Sequence, residues 1–91
     1  MAHTQRDREK LQRRLARLRG QIDGVGRALA EERPCGEVLQ QVAAIRGAVA
    51  GLMAELLEDH VHEHVAGDGI PAAAREQAAD ELVEVLRRYL R

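Results

Sequence analysis

The stretch from Val38 to Leu56, VLQQVAAIRGAVAGLMAEL, decides the fold. Its apolar residues recur at intervals of 4, 3, 4, 3 and 4, and they are Val38, Val42, Ile45, Val49, Leu52 and Leu56. This period places them on one face of an α-helix that packs along a partner. The pattern predicts a long helix from about residue 34 to residue 65.

The same intervals occur nearer the N-terminus, in Leu11, Leu15, Leu18, Ile22, Val25 and Leu29. They predict an amphipathic helix from about residue 5 to residue 31. Gly67 to Pro71 breaks the pattern, and the apolar residues after it predict a third helix from about residue 72 to residue 90. Two long seams among three helices predict an all-α protomer that forms an antiparallel helical bundle with a second copy.

The length and composition of the chain narrow the class of protein. Its 91 residues are enough for one domain, so we expect residues 1–91 to form a single domain. The sequence contains neither an apolar run long enough to span a membrane nor a secretory signal. A lone cysteine fits a reducing compartment. We therefore expect a cytoplasmic protein with no membrane partner.

Cysteine and histidine residues form a candidate metal site that one chain cannot complete. Cys35 is the only thiol, and His60 and His64 are four residues apart, on one face of a helix. Cys35 and His60 are separated by 25 residues, which is roughly 37 Å along a helix. Two antiparallel copies of the helix bring the start of one beside the end of the other. The spacing therefore predicts a site shared between two chains.

Two further residues are candidate ligands. We expect His3 to lie on an N-terminal arm, beside the amine that removal of Met1 would leave on Ala2. Glu63 is either a ligand, an outer-shell acceptor or an exposed helix carboxylate. His62 faces away from its neighbouring histidines. The alternative interpretation is that the histidines are surface residues and Cys35 is a small buried apolar residue. A thiolate with imidazoles suits Ni(II), Co(II) or Zn(II) better than Cu(I).

A basic stripe runs along the first predicted helix. Residues 6–19 contain seven basic and two acidic residues. Lys10, Arg13, Arg14 and Arg17 lie on one side of the helix, off the apolar seam. The stripe is either an ordinary solvated face or a contact surface for phosphates. The scarcity of aromatic residues disfavours recognition of single-stranded RNA and leaves double-stranded DNA as the expected partner.

Three stretches resemble the CsoR/RcnR/FrmR family of bacterial repressors. They are RLARLRGQI at residues 14–22, LQQVAAIRGAV at residues 39–49 and GLMAE at residues 51–55, with Cys35 before the second. The resemblance extends over nearly the whole chain. It implies an all-α protomer, assembled as a dimer of dimers, that binds operator DNA without a helix-turn-helix.

Branches of this family differ at the inducer site. The copper branch has a second cysteine where this chain has His64, which argues against Cu(I). The formaldehyde branch pairs its cysteine with an N-terminal proline, whereas residue 2 here is Ala. The positions that match the nickel/cobalt branch are His3, Cys35, His60, His64 and Glu63.

The resemblance implies a repressor rather than an enzyme. It would bind operator DNA in the apo form and release it on binding Ni(II) or Co(II), which derepresses a metal exporter gene. The implied DNA contacts are Lys10, Arg14 and Arg17, with Arg13 and Arg46 as further candidates. Two alternatives stay open: a formaldehyde-responsive repressor that uses Cys35 and the N-terminal amine, and a metal buffer with no operator.

Overall fold

The computed structural model describes residues 5–91, with side chains from Asp7 onward. Its regular elements are α1 (Gln5–Ala30), α2 (Cys35–His60), a π-turn (Val61–Val65) and α3 (Ala72–Tyr89). The all-α, three-helix prediction is confirmed for this part of the chain. The ends of α1 and α3 lie within one residue of those predicted.

A tight connector joins α1 to α2. The Arg33 amide donates to the Ala28 carbonyl (2.9 Å), and Glu32 adopts a left-handed conformation (φ 53°). This is the Schellman end of a helix, and a non-glycine residue in it costs about 1 kcal/mol. The Pro34 carbonyl then accepts a hydrogen bond from the Glu37 amide (3.0 Å). Pro34 therefore caps α2 rather than lying in its first turn.

The chain forms two compact units, and the first contains α1 and α2 as far as Met53. In this unit the Arg14 guanidinium lies 3.0 Å from the position that a Cβ on Gly51 would occupy. Arg14 and Gly51 are equally far along the chain from the connector. The two helices are therefore antiparallel neighbours.

Burial alternates along both apolar seams. On α1, Leu11, Leu18 and Val25 are half-buried, whereas Leu15, Ile22 and Leu29 are exposed. On α2, Val38, Ile45 and Leu52 are half-buried, whereas Val42, Val49 and Leu56 are exposed. The members of each set are seven residues apart. One set in each seam is thus covered within the chain, and the other is left uncovered.

The second compact unit runs from Ala54 through α3 to Arg91 and contains the π-turn. The sequence predicted an α-helix through Val65, and that prediction is wrong for the last turn. The Ala66 amide donates to the Val61 carbonyl (2.7 Å), the five-residue spacing of a π-helix. Hydrophobic periodicity does not distinguish this wider turn from the end of an α-helix.

α3 packs against the π-turn, and a short loop connects them. The Arg75 guanidinium makes long hydrogen bonds to the carbonyls of Gly67 (3.5 Å) and Ile70 (3.4 Å), which hold the loop to the first turn of α3. Ala78 is buried on the inner side of α3. None of the helices in the described part of the chain combines the length and apolar character that a membrane span requires.

Candidate functional site

Two predicted ligands come together where α2 passes into the π-turn. The imidazole rings of His60 and His64 have centroids 5.3 Å apart, with their planes inclined at 51°. This separation allows one nitrogen of each ring to approach a common ion at about 2.0–2.1 Å. The predicted pairing of His60 and His64 is therefore present in the fold.

A backbone carbonyl orients the His60 ring. His60 Nε2 lies 2.9 Å from the Ala78 carbonyl oxygen, which belongs to α3. A carbonyl only accepts, so the proton of this hydrogen bond resides on Nε2. Nδ1 is then the ring nitrogen available for ligation. Hydrogen bonding of the second ring nitrogen is how proteins fix a histidine ligand.

Glu63 lies between the two histidines in sequence and is less exposed than one of the sequence-based interpretations assumed. Its side chain is 29% exposed, and its Oε2 atom is shielded from solvent. The same atom lies 3.9 Å from His64 Nε2. The interpretation as an exposed helix carboxylate is wrong, because the π-turn directs Glu63 towards α3. It lines the same cavity as His60 and His64.

That open cavity has a volume of about 560 Å³. α3 contributes Gln77, Ala78 and Glu81 to its wall, and Gln77 Nε2 donates to Glu81 Oε1 (3.3 Å). These residues were not singled out from the sequence. Gln77 and Glu81 are four residues apart, so they lie on the same face of α3. The role of the Ala78 carbonyl could not have been predicted from the sequence, because every residue type has a backbone carbonyl.

Cys35 lies at the other end of α2 from the histidine pair. Cys35 is exposed and is the first residue of α2, whereas His60 is its last. His3 lies outside the described residues. From Gln5 onward, no three histidine, cysteine, aspartate or glutamate side chains are grouped to hold an ion. The pair thus fits one part of a metal site and requires a donor from elsewhere.

His62 points away from the pair and is exposed, as predicted. It borders a separate apolar groove of about 440 Å³ between the end of α2 and α3. Leu57, Leu82 and Leu86 form much of its wall. His62 is therefore a natural control for the histidines that flank it.

Four basic residues of α1 lie along one side of the helix. Lys10, Arg13 and Arg17 are exposed, and Arg14 is half-buried against α2. At about 100° per residue, the half-buried residues of α1 separate this stripe from the exposed Leu15 and Ile22. α1 thus presents these four basic residues on one flank of the contact with α2 and its uncovered apolar residues on the other.

Arg46 does not join this stripe. It is exposed on α2, where residues three and four positions away are its neighbours on the helix surface. Those neighbours are Val42 and Val49, which belong to the uncovered apolar stripe. The structure therefore separates Arg46 from the other four predicted DNA contacts.

Comparison with known sequences places this architecture in a family. The model of the metal-sensitive transcriptional repressor family matches residues 7–88. The chain belongs to this family, which comprises CsoR, RcnR and FrmR proteins. The transcriptional repressor RcnR of Salmonella arizonae is 43% identical over the full length of both chains, and that of Escherichia coli K12 is 42% identical. An uncharacterized protein in the bioA 5′ region of Serratia marcescens is 48% identical, again over both full lengths.

Two solved structures of the family share the fold. A variant of the formaldehyde-responsive regulator FrmR from Salmonella enterica serovar Typhimurium has a TM-score of 0.89 and 37% identity, over 96% of this chain and 98% of that one. The copper-sensing repressor CsoR with Cu(I) from Geobacillus thermodenitrificans has a TM-score of 0.89 and 31% identity, over 98% and 92%. The members of the family are transcriptional repressors rather than enzymes, as predicted from the resemblance.

Proposed function

We propose that this member of the metal-sensitive repressor family responds to Ni(II) or Co(II). The observation that carries the proposal is the pairing of His60 and His64 at the π-turn, with the His60 ring held by the Ala78 carbonyl. Two imidazoles and one thiolate suit these ions, accommodate Zn(II), and are less suited to Cu(I). The similarity to RcnR over the full chain supports this choice.

Cys35 of a second copy supplies the missing donor in this proposal. Within one chain, Cys35 and His60 are separated by the length of α2, which is roughly 37 Å at about 1.5 Å per residue. Antiparallel pairing of two α2 helices removes that separation. His3 and the N-terminal amine then close over the site, and Glu63 serves as a further ligand or as an acceptor for one.

The uncovered apolar stripes support self-association. On both α1 and α2, the exposed apolar stripe is rotated in the same direction about the helix axis from the face that contacts the other helix. Because the two helices are antiparallel and both right-handed, the two stripes lie on the same side of the helix pair. Ile22 and Val49 are both exposed there. An apolar face of this kind is typical of a protein–protein interface. We propose a homodimer, and from the family resemblance a homotetramer.

Operator DNA is the proposed partner of the basic stripe. Lys10, Arg13, Arg14 and Arg17 contact phosphates, and an oligomer repeats the stripe along the duplex. Cys35 of one chain and His60 and His64 of another would hold the ion, and the two chains would then be tied together. The chain's own part is to hold His60 and His64 on the π-turn and Cys35 at the start of α2. A change in how the two chains pack against each other then alters the distance between their basic stripes.

The coupling is reciprocal, because a metal that lowers the affinity for DNA must bind less tightly to the DNA complex. A coupling of about 1–3 kcal/mol is ordinary. Release of the operator derepresses the regulated gene. We propose that the repressor is cytoplasmic and that this gene encodes a metal exporter, which removes the ion from the cell.

The test is an anaerobic titration of the reduced apo-protein with Co(II). We expect a thiolate-to-metal charge-transfer band that saturates at about one ion per chain. The band is lost in Cys35→Ala and weakened in His64→Ala, whereas His62→Ala retains it. The same metal should release a DNA duplex that the wild-type protein enriches from a random-sequence pool. Intact release by metal in Cys35→Ala would contradict the proposal.

A second candidate is a formaldehyde-responsive repressor. Cys35 is exposed, and the solved FrmR variant is structurally similar over nearly the whole chain. In this mechanism the thiolate attacks the aldehyde carbon, the N-terminal amine condenses with the adduct, and water leaves as a methylene bridge forms. Release of DNA by formaldehyde from metal-free protein, without a Co(II) charge-transfer band, would favour it.

A further inference from the structure

Arg14 occupies a different environment from the other basic residues of α1. Lys10, Arg13 and Arg17 are exposed, whereas Arg14 is half-buried and reaches α2 near Gly51. Its Nη2 atom lies 3.0 Å from the point where a Cβ on Gly51 would stand. A real Cβ rarely has so close a neighbour, so the guanidinium would have to move by a few tenths of an ångström if residue 51 carried a side chain.

The contrast with Gly47 shows that the arrangement is local. Gly47 lies one turn earlier on α2, and a Cβ added there would meet no atom within 4 Å. Glycine in the middle of a helix is unfavourable by about 1 kcal/mol relative to alanine. At Gly51, by contrast, the missing side chain leaves room for the Arg14 guanidinium.

We propose that Gly51 is a positioning residue for the DNA-binding surface, because it provides the space in which the Arg14 guanidinium is held. The inference rests on the proposed contact between the basic stripe and operator DNA. The α2 backbone at Gly51 fixes where one positive charge of the stripe is presented. It also places that charge beside the helix that begins with Cys35.

Substitution of Gly51 by alanine should displace the guanidinium without unfolding the protein. The clashing atom is the far end of a flexible side chain, so Arg14 moves rather than the helices. Ordering one long side chain again on binding corresponds to a loss of operator affinity of about three- to tenfold. Alanine is also the better helix former, so the melting temperature should not fall.

The experiment compares Gly51→Ala, Gly47→Ala, Arg14→Ala and the double variant Gly51→Ala/Arg14→Ala. The probe is the duplex that the wild-type protein enriches from a random-sequence pool. We expect Gly51→Ala to bind about three- to tenfold more weakly and Gly47→Ala to bind like wild type. In the Arg14→Ala background, Gly51→Ala should have no further effect, because the displaced atoms are absent.

A readout without DNA separates this inference from the proposed function. The Arg14 Nε–Hε resonance of ¹⁵N-labelled protein should lie at the same position in wild type and Gly47→Ala and should shift in Gly51→Ala. An unmoved resonance would overturn the inference, as would a Gly51→Ala effect that persists without Arg14. If wild type enriches no duplex, the proposed DNA binding fails, and the resonance alone decides whether Gly51 positions Arg14.

Discussion

The His60 imidazole and the Ala78 carbonyl lie 2.9 Å apart and connect the end of α2 to the middle of α3. Because the acceptor is a backbone carbonyl of α3, its distance from His60 depends on how closely α3 packs against the end of α2. Ala78 is 6% exposed, so its small side chain sets that approach. The orientation of a proposed metal ligand is thus determined by helix packing.

Replacing Ala78 with leucine should move α3 away from the end of α2. Overpacking of a buried site typically costs 1–3 kcal/mol, and the His60 hydrogen bond should be lost with the displacement of α3. Loss of an outer-shell partner usually lowers metal affinity by about 10–100-fold. Co(II) titration and thermal unfolding measure both effects. Ala73→Leu, at an exposed position of the same helix, is the control and should change neither property appreciably.

The salt dependence of operator binding should identify which arginines contact phosphates. Arg17 lies on the basic stripe, and Arg19 is exposed about 200° away around the same helix. Arg17→Ala should reduce the slope of log affinity against log salt by about 1 for each chain of the oligomer whose Arg17 contacts a phosphate, because one fewer counterion is released at each contact. Arg19→Ala should leave the slope unchanged. Equal slopes for the two variants would place the DNA elsewhere on the protein.

The apolar pattern of the sequence was sufficient to predict the three helices, and also their limits apart from the last turn of the second helix. Leu11 and Leu15 belong to the same seam, yet one is half-buried and the other exposed. The intervals in the sequence do not reveal which set of residues faces α2. That division depends on the rotation of α1 about its axis, which the antiparallel packing fixes.

The histidine pair was equally accessible to sequence reasoning, because residues at i and i+4 share a helix face. The orientation of Glu63 was not, since it depends on the change from α to π geometry after His60. The hydrogen bond from His60 to Ala78 was also hidden, because any residue type supplies a carbonyl. Sequence therefore indicates the ligand types, and packing determines how they are held.

Self-association should depend on the uncovered apolar stripe. Ile22 is 52% exposed in the single chain, so a lysine there costs little within the protomer. In an interface the same lysine would be buried without a partner, which is strongly unfavourable. Sedimentation of Ile22→Lys should show monomers, with loss of the Co(II) charge-transfer band that requires two chains. Ala16→Lys adds the same charge at an exposed position of α1 and should retain both assembly and the band.

Gly67 should be essential to the geometry of the π-turn. A Cβ at this position would lie 2.9 Å from the His62 carbonyl oxygen and 3.3 Å from that of Glu63. These neighbours are backbone atoms, which cannot turn aside as the Arg14 guanidinium can. Gly67→Ala should therefore destabilise the protein by about 1–3 kcal/mol, and it should weaken Co(II) binding by disturbing the pair of histidines.

The matched control is Gly26→Ala, because a Cβ added to Gly26 in α1 meets no atom within 4 Å. That substitution should raise stability by up to about 1 kcal/mol through helix propensity. Chemical denaturation gives the free energies of unfolding, and Co(II) titration gives the affinities. A stable Gly67→Ala protein with wild-type Co(II) affinity would show that the histidine pair does not depend on the close approach of Gly67 to the π-turn.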